Sequence, residues 1–255
     1  MNKKVLLKVF ALSVFLILLI FSLRAVPAYA DPVPGIDLQI TSTDSPEEVV
    51  DSLKLLTVLT VLALAPAILI MMTSFTRIIV VLSFVRSALA TQQTPPNQVL
   101  IGLALFLTFF TMAPTYEEIN REAIQPYIAG QMAQEEALDN AAGPIKKFML
   151  KQTREKDLAL FIDMSNSERP ENQQDLKLSV LMPAFTLSEL KTAFQIGFYI
   201  YLPFLVIDIV VASTLMSMGM FMLPPIIISL PFKILLFVMT DGWFLITKSL
   251  LESYL

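Results

Sequence analysis

The decapeptide MSMGMFMLPP, Met216–Pro225, divides the apolar final third of the chain into two arms. Four methionines at alternate positions surround a glycine, and two prolines close the run. Glycine and proline disfavour the interior of a helix, whereas methionine is flexible and fills irregular spaces. Apolar residues extend over 194–218 before the run and over 226–251 after it. The pattern predicts an antiparallel helical hairpin with an irregular, methionine-rich loop at its tip.

The composition is that of a polytopic membrane protein. Hydrophobic residues make up 55% of the 255 positions, charged residues only 16%, and the mean hydropathy is +0.69. The chain has no cysteine and no histidine, which excludes disulfides, thiol nucleophiles and most familiar hydrolase sites. On composition alone an enzyme is still open, but it would have to work with carboxylates, lysines and hydroxyls. We predict no enzyme activity, no cofactor and no metal. The net charge of −4 also argues against nucleic acid as a partner.

The first thirty residues have the pattern of a signal peptide. Lysines at the start precede the apolar core VFALSVFLILLIFSL, and small residues follow in AYA. We expect cleavage between Ala30 and Asp31, which would place the mature N-terminus outside the cytoplasm. An uncleaved first helix is the alternative, because the apolar core is long for a signal peptide.

Four hydrophobic segments remain after the signal peptide, and they predict an all-α fold of antiparallel helical hairpins. Residues 31–114 form the predicted N-terminal hairpin, 115–192 a polar extracytoplasmic helical region, and 193–255 the C-terminal hairpin with its methionine-rich loop. In the polar region we expect helical patches that proline and glycine interrupt, with breaks at Pro126, at Gly143-Pro144 and at Pro170. The segment SNSERPENQQD is polar enough to predict a loop.

The N-terminal hairpin has a clear start and a clear turn. In SPEEVV, a serine cap, Pro46 at the first helical position and a glutamate three residues after the cap predict a helix start. The apolar continuation is expected to be interrupted at Pro66. Arg77 and Arg86 flank the polar segment RSALATQQTPPNQ, whose double proline ends a helix. The positive-inside rule places this segment and both arginines in the cytoplasm.

Three charged side chains lie within or beside apolar runs, where charges are expensive and usually have a partner. Asp208 and Lys233 lie in opposite arms of the C-terminal hairpin. An ion pair within the chain, or a charge that reaches the interface, is the simplest interpretation, and pairing between subunits is the functional one. Glu189 fits a capping box with Thr186 and is a third candidate for contact between subunits.

Two long stretches resemble the FliP family of flagellar biosynthetic proteins. These are SFTRIIVVLSFVRSALATQQTPPNQVLIGLALFLTFF and LMPAFTLSELKTAFQIGFYIYLPFLVIDIVVAS, and GMFMLPP and LPFKILLFVMTDGW extend the likeness. The sequence departs from the family at Ala90, where glycine is usual, and at Phe221, where methionine is common.

The resemblance implies a core subunit of the type III export gate at the base of the flagellum. Several copies, with a pentamer suggested, would assemble with FliQ and FliR around a channel, next to FlhB and FlhA. The channel would pass unfolded flagellar subunits across the inner membrane. The family also implies a tilted assembly with much of its mass towards the periplasmic side.

Within that assembly, Met220, Phe221 and Met222 would form a deformable apolar gasket at the channel axis. Met216, Met218, Gly219, Pro224 and Pro225 flank it. From the residues alone, a hairpin turn whose methionines only fill the core is the alternative.

Two other classes of function stay open on the residues alone. A small-solute transporter is expected to have paired broken helices in two related halves, and the proline-broken methionine run has no clear repeat partner. An intramembrane hydrolase would need an aspartate pair or a serine–lysine dyad, and Asp208 with Asp241 lacks the sequence context of one.

Overall fold

The computed structural model describes residues 46–91, 93–165 and 176–254, and every regular element in these ranges is a helix. The predicted signal peptide, its cleavage site at Ala30 and Asp31, and Pro170 lie outside the described residues. In chain order the helices are α1 (Pro46–Met71), α2 (Phe75–Ala88), α3 (Asn97–Ile119), a π-helical turn (Asn120–Ile124), α4 (Gln125–Ile128), α5 (Gln134–Gln152), α6 (Glu155–Met164), α7 (Leu178–Ser217), α8 (Pro225–Met239) and α9 (Gly242–Glu252).

The first helix begins at Pro46, as the sequence predicts, but it is not interrupted at Pro66, which lies inside it. The break comes at residues 72–74, between α1 and α2. There the Thr73 hydroxyl donates a hydrogen bond to the carbonyl oxygen of Ile70, 2.9 Å away. This side-chain bond offers the backbone an alternative to continuing the helix.

Helix α2 is the centre of the core. It packs against α3 and α7, and Ile78, Val81, Leu82 and Val85 on its faces are completely buried. These positions recur every three or four residues, the spacing that brings side chains to one side of a helix. Residues from α8 and α9 and the C-terminal Tyr254 complete the same cluster. The predicted cytoplasmic turn begins at Arg86, inside this helix. Among the described helices, α2 is thus a deeply enclosed one, although part of it was predicted to be a turn.

Ala90, just after α2, has a left-handed backbone with φ of +57°. This conformation is unfavourable for residues with a Cβ atom and natural for glycine. The observation gives a physical reason for the glycine that the family resemblance predicts at this position.

The polar region differs from the sequence prediction in its breaks. Gly143 and Pro144 lie inside α5, and Pro144 is buried, so the expected break there is wrong. Pro126 lies in the short α4, directly after the π-helical turn. The boundaries expected at 114/115 and at 192/193 fall inside α3 and α7, so the apolar helices continue into the polar region without interruption.

Within the described ranges, two stretches are long and apolar enough to cross a membrane, Asn97–Ile128 and Leu178–Ser217. Helices α8 and α9 would form a third if they are taken together, although they are bent by 63° at their junction. The apolar stretch Leu53–Ile68 is shorter. The four predicted hydrophobic segments are therefore all helical, and they differ in whether they reach spanning length.

Candidate functional site

The methionine run forms the tip of the α7–α8 hairpin, as the sequence predicts. Helix α7 ends at Ser217, and Gly219 follows with φ of +77°. The Met220 amide donates to the carbonyl oxygen of Leu215 and the Gly219 amide to that of Met216, both at 3.0 Å. This pair of bonds is a Schellman motif, which requires a left-handed residue and favours glycine there. Gly219 thus ends the helix by its backbone geometry.

The prolines start the second arm. Pro224 is the N-cap of α8, with an extended backbone, and Pro225 is its first helical residue. Proline suits this position because the first amide of a helix has no partner within the helix and the ring fixes a helical φ. Residues 218–224 therefore separate the two helices, and residues 218–223 form the loop before the N-cap Pro224.

The side chains of the loop extend away from the chain. Met222 is 97% exposed, Phe221 77% and Met220 40%. The flanking Met216 and Met218 are also exposed. These positions bury little apolar surface within one chain. Apolar surface that stays in contact with water is unfavourable. The alternative in which the loop methionines fill the core of their own chain does not fit these exposures.

An ion pair joins the two arms below the loop. The Nζ atom of Lys233 donates to Asp208 Oδ2 at 2.6 Å, and the hydroxyl of Ser229 donates to Asp208 Oδ1. Lys233 is only 2% exposed. The contact satisfies both charges within the chain and supports the intrachain interpretation. Pairing of Asp208 or Lys233 with a neighbouring subunit stays a prediction.

Glu189 is the acceptor of a second buried network. Its carboxylate accepts two hydrogen bonds from Arg77, and the Tyr254 hydroxyl lies 2.8 Å from Oε2. Arg77 also donates to the carbonyl oxygen of Ser253 at 2.9 Å and to Gln152 Oε1 at 3.0 Å. The network ties α2, α5 and α7 to the C-terminal end of the chain.

The capping box predicted for Glu189 is wrong. Helix α7 begins at Leu178, so Thr186 lies inside it and donates to the carbonyl oxygen of Met182 at 2.9 Å. Glu189 is 0% exposed, and its buried carboxylate pairs with Arg77 instead.

The expected location of Arg77 also needs correction. Arg77 contacts Gln152, which belongs to the polar region that the sequence placed outside the cytoplasm. The two side chains therefore cannot lie on opposite sides of a membrane, as the sequence prediction had them. Arg86 lies at the other end of α2, where its guanidinium donates to the carbonyl oxygen of Pro95 at 3.3 Å and to the Asn97 side chain. Arg86 thus fits the role of a loop arginine, whereas Arg77 is part of the core.

A third charge cluster was not predicted from the sequence. Asp157 on α6 accepts hydrogen bonds from Lys191 and from Ser188, the latter at 2.8 Å, and so fastens α6 to α7. Burial acts to raise the pKa of the Asp157 carboxyl, but the bonds from Lys191 and Ser188 outweigh it. The pKa therefore lies below its ordinary value. An acidic residue in the first turn of α6 carried no distinguishing signal in the sequence.

The chemistry of these clusters is structural. Each buried carboxylate is paired with a cation, and in the described part of the chain no group of three acidic side chains is placed to hold a metal ion. Large apolar side chains are exposed at the hairpin tip and on α1, α3, α7 and α8. The fold therefore defines a helical membrane protein whose polar groups lock its helices and whose apolar surfaces face lipid or partners.

Comparison with known proteins identifies the family. The FliP family model matches residues 58–250. The chain is 62% identical over 217 residues to the flagellar biosynthetic protein FliP of Bacillus subtilis, an alignment that covers 85% of this chain and 98% of the relative. It is 50% identical over 224 residues to FliP of Aquifex aeolicus, covering 87% and 92%. For FliP of Caulobacter vibrioides the identity is 55% over 201 residues, covering 79% and 76%.

The chain belongs to the FliP family. Members of this family are structural components of the flagellar export apparatus, not enzymes, and the prediction of no enzyme activity is confirmed on that ground. The chain is thus a membrane-associated component of the flagellar export apparatus.

Proposed function

We propose that several copies of this chain form the channel of the flagellar export gate, and that the loops at residues 218–223 meet at its axis. In this arrangement Met220, Phe221 and Met222 form a closed apolar ring. The ring blocks water and ions at rest and deforms around an unfolded flagellar protein as it passes.

The observation that carries the proposal is the loop at the hairpin tip. An irregular, exposed apolar loop is tolerated at membrane depth only when it packs in protein or lines a cavity. Copies arranged in a ring would satisfy this condition, because each tip would pack against its neighbours. Methionine suits such a seal, since its unbranched side chain adapts to surfaces of varied shape.

The exposed faces of the arms support association with other subunits. Phe194, Phe198 and Tyr199 on α7 and Phe232 on α8 are exposed, although large aromatic side chains are usually buried. We propose that these faces contact neighbouring copies and the gate subunits FliQ and FliR, with FlhB and FlhA nearby. A pentameric ring, with much of its mass towards the periplasmic side of the inner membrane, is part of the same proposal.

The proposal is tested by removing the bulk of the seal. Alanine at Met220, Phe221 and Met222 together widens the axis in every copy at once. We expect higher ion conductance or solute uptake in cells that make this variant, with the complex still assembled. Because the three side chains make few contacts in their own chain, folding of the single chain should change little.

The matched control replaces three other exposed apolar side chains outside this hairpin. Alanine at Leu56, Leu59 and Leu62 on α1 removes similar exposed surface from a helix to which no subunit contact is assigned. We expect this variant to stay as tight as the natural chain. A triple-alanine loop that assembles and does not leak would refute the seal, and equal leakage in the control would refute its location at the tip.

A further inference from the structure

Helices α3 and α5 enclose a cleft that has a charged end and an apolar end. The charged end is a cavity of about 780 Å³ and the apolar end a cavity of about 410 Å³, both in the size range of small-molecule sites. Four residues line both cavities, so the two cavities adjoin in one cleft. They are Glu118, Pro144, Lys147 and Lys151.

The apolar end of the cleft continues an exposed apolar face of α3. Phe110 lines this end and is 69% exposed, and Phe106, one turn earlier, is also exposed. Both belong to Asn97–Ile128, a stretch that is long and apolar enough to cross a membrane. Phe148 of α5 and Leu251 of α9 line the same end. The face of α3 that suits contact with lipid therefore leads into the cleft.

The charged end carries as many cations as anions, and they have a defined order along the cleft. Lys147 and Lys151 line both cavities and therefore lie nearest to the apolar end. Glu122 and Asp139 line only the charged cavity. Outward from the apolar end, the cleft thus presents apolar side chains, then lysines, then carboxylates. The ionisable residues that line it are Glu118, Glu122, Asp139, Lys146, Lys147 and Lys151.

The inner lysines are placed to bind an oxygen anion. The Nζ atom of Lys147 lies 3.0 Å from Glu118 Oε1, but the Lys147 side chain is 75% exposed. An ammonium group has three N–H donors, so the bond to Glu118 leaves Lys147 able to bind a further oxygen. The Nζ atom of Lys151 donates to the carbonyl oxygen of Tyr254 at 3.5 Å, which holds this lysine at the junction of the two cavities.

The outer carboxylates are held in place by the backbone around them. Glu122 lies in the π-helical turn that follows α3, and this turn packs against α5. The Asn140 amide donates to the carbonyl oxygen of Glu122 at 3.5 Å. π-Helical turns are rare and occur frequently at functional sites. The turn thus gives the charged end a second feature typical of a binding site.

We propose that the cleft binds a phospholipid with a primary ammonium headgroup, phosphatidylethanolamine. An acyl chain occupies the apolar end, the phosphate binds Lys147 and Lys151, and the ammonium group binds the carboxylates of Glu122 and Asp139. In this lipid the phosphate lies next to the acyl chains and the ammonium group lies at the outer end, which is the order of the complementary groups in the cleft. The headgroup carries one charge of each sign, so it matches a lining with equal numbers of cations and anions.

The same lining disfavours the other common headgroups. Proteins bind the quaternary ammonium of choline with aromatic cages, and none of the described residues that line the charged cavity is aromatic. A primary ammonium donates N–H bonds to carboxylates, which choline cannot do. An anionic lipid such as phosphatidylglycerol has no ammonium group, so Glu122 and Asp139 would lie unpaired beside a phosphate of like charge.

Lipid binding at this cleft does not depend on the loop at residues 218–223. The cleft is built by α3, the π-helical turn, α5 and α9. The contacts between copies that we propose above lie on α7 and α8, so the two proposals use different surfaces of the chain.

The first measurement locates the lipid. The assembled complex is purified in detergent, depleted of lipid and incubated with phosphatidylethanolamine that carries a photoreactive group in its acyl chain. After illumination, mass spectrometry identifies the labelled peptides, and we expect label in those that contain Phe110 and Phe148. Unlabelled phosphatidylethanolamine should compete at about tenfold lower concentration than phosphatidylcholine or phosphatidylglycerol, as expected from the loss of hydrogen bonds to charged groups.

The second measurement tests the ammonium subsite. The double variant Glu122→Gln with Asp139→Asn removes two exposed carboxylates, so the fold should change little. We expect it to keep the label but to lose the tenfold preference over phosphatidylcholine. Glu135→Gln with Glu136→Gln is the matched control, since it removes two exposed carboxylates of the same helix that line neither cavity. The control should keep the preference.

Three results would overturn the proposal. The first is label that is absent from the peptides of the cleft. The second is equal competition by the three lipids in the natural chain, or an equal preference in the double variant and in the natural chain. The third is competition by water-soluble glycerophosphoethanolamine as strong as that by the intact lipid, which would assign the charged end to a free headgroup and leave the apolar end without a role.

Discussion

The buried pair of Arg77 and Glu189 offers the sharpest test of how this fold is held together. Its side chains are almost completely buried, and Arg77 Cζ lies 3.9 Å from the centre of the Tyr254 ring. Replacing Arg77 by alanine leaves the Glu189 carboxylate buried with only the Tyr254 hydroxyl as donor. It also removes the donors of the Ser253 carbonyl oxygen and the Gln152 side chain.

The expected loss can be estimated from this geometry. Breaking one partner out of a buried ion pair costs about 3–5 kcal/mol, because the remaining charge is uncompensated. Domains of this kind are stable by only about 5–15 kcal/mol in total. We therefore expect Arg77→Ala to remove a large fraction of the stability, which lowers the thermal midpoint and the amount of assembled complex. The double variant Arg77→Met with Glu189→Leu removes both charges and replaces them by apolar groups, and it should recover most of the loss.

The assay is the amount of assembled complex on native gels together with the thermal midpoint of the purified protein. The control is Arg121→Ala, which removes an exposed ion pair to Glu122 and should leave both readings unchanged. If Arg77→Ala is as stable as the control, the pair does not stabilise the fold. If the double variant is less stable than both single variants, the loss does not come from an unpaired buried charge.

Three further predictions concern a close contact at Gly197, the backbone of Ala90 and the ion pair of Asp157. A methyl group at Gly197 would lie 2.5 Å from the Phe84 ring, so Gly197→Ala should lower the thermal midpoint through about 1–3 kcal/mol of overpacking, whereas Gly102→Ala, in open space, should raise it slightly. Equal effects would contradict this assignment. Ala90→Gly should raise the midpoint, because it relieves about 1 kcal/mol of left-handed strain; a lower midpoint would count against it. The pKa of Asp157 is lower in the folded chain than in the unfolded one, so its contribution is full above the ordinary value of 3.8 and lost as the pH falls below it. The midpoint of the natural chain should therefore fall more steeply than that of Asp157→Asn as the pH is lowered below about 4, and parallel curves would exclude the effect.

Local features of the fold could be predicted from the sequence because each depends on neighbouring residues. The Schellman motif at Gly219, the start of α8 at Pro225 and the start of α1 at Pro46 are set by backbone geometry within one turn. These are the signals that glycine and proline carry most reliably.

Long-range features could not be predicted for the same reason. Arg77 and Glu189 are 112 residues apart in sequence, and nothing near either one identifies its partner. At Pro144 the error is a local signal that is overridden. Glycine and proline predict a break there, but α5 continues through the buried Pro144 and packs against its neighbours. The sequence prediction placed Arg77 in the cytoplasm because a loop charge and a buried, paired charge look alike in sequence.

The position of the arm-to-arm ion pair explains how one hairpin can be both rigid and deformable. Asp208 lies about 13 Å before the end of α7, and Lys233 about 12 Å beyond the start of α8, at about 1.5 Å per residue. The bond between the buried Lys233 ammonium and the partly exposed Asp208 carboxylate fixes the spacing of the arms at that depth. Beyond this point, Ser229 supplies a further bond to the same carboxylate, and the side chains that line the groove between the arms are almost all apolar. Apolar contacts are not directional, so they permit small shifts that a buried ion pair resists. The loop therefore extends from a fixed base, which in the proposed ring would let the tips of several copies adapt to a passing chain while their arms stay packed.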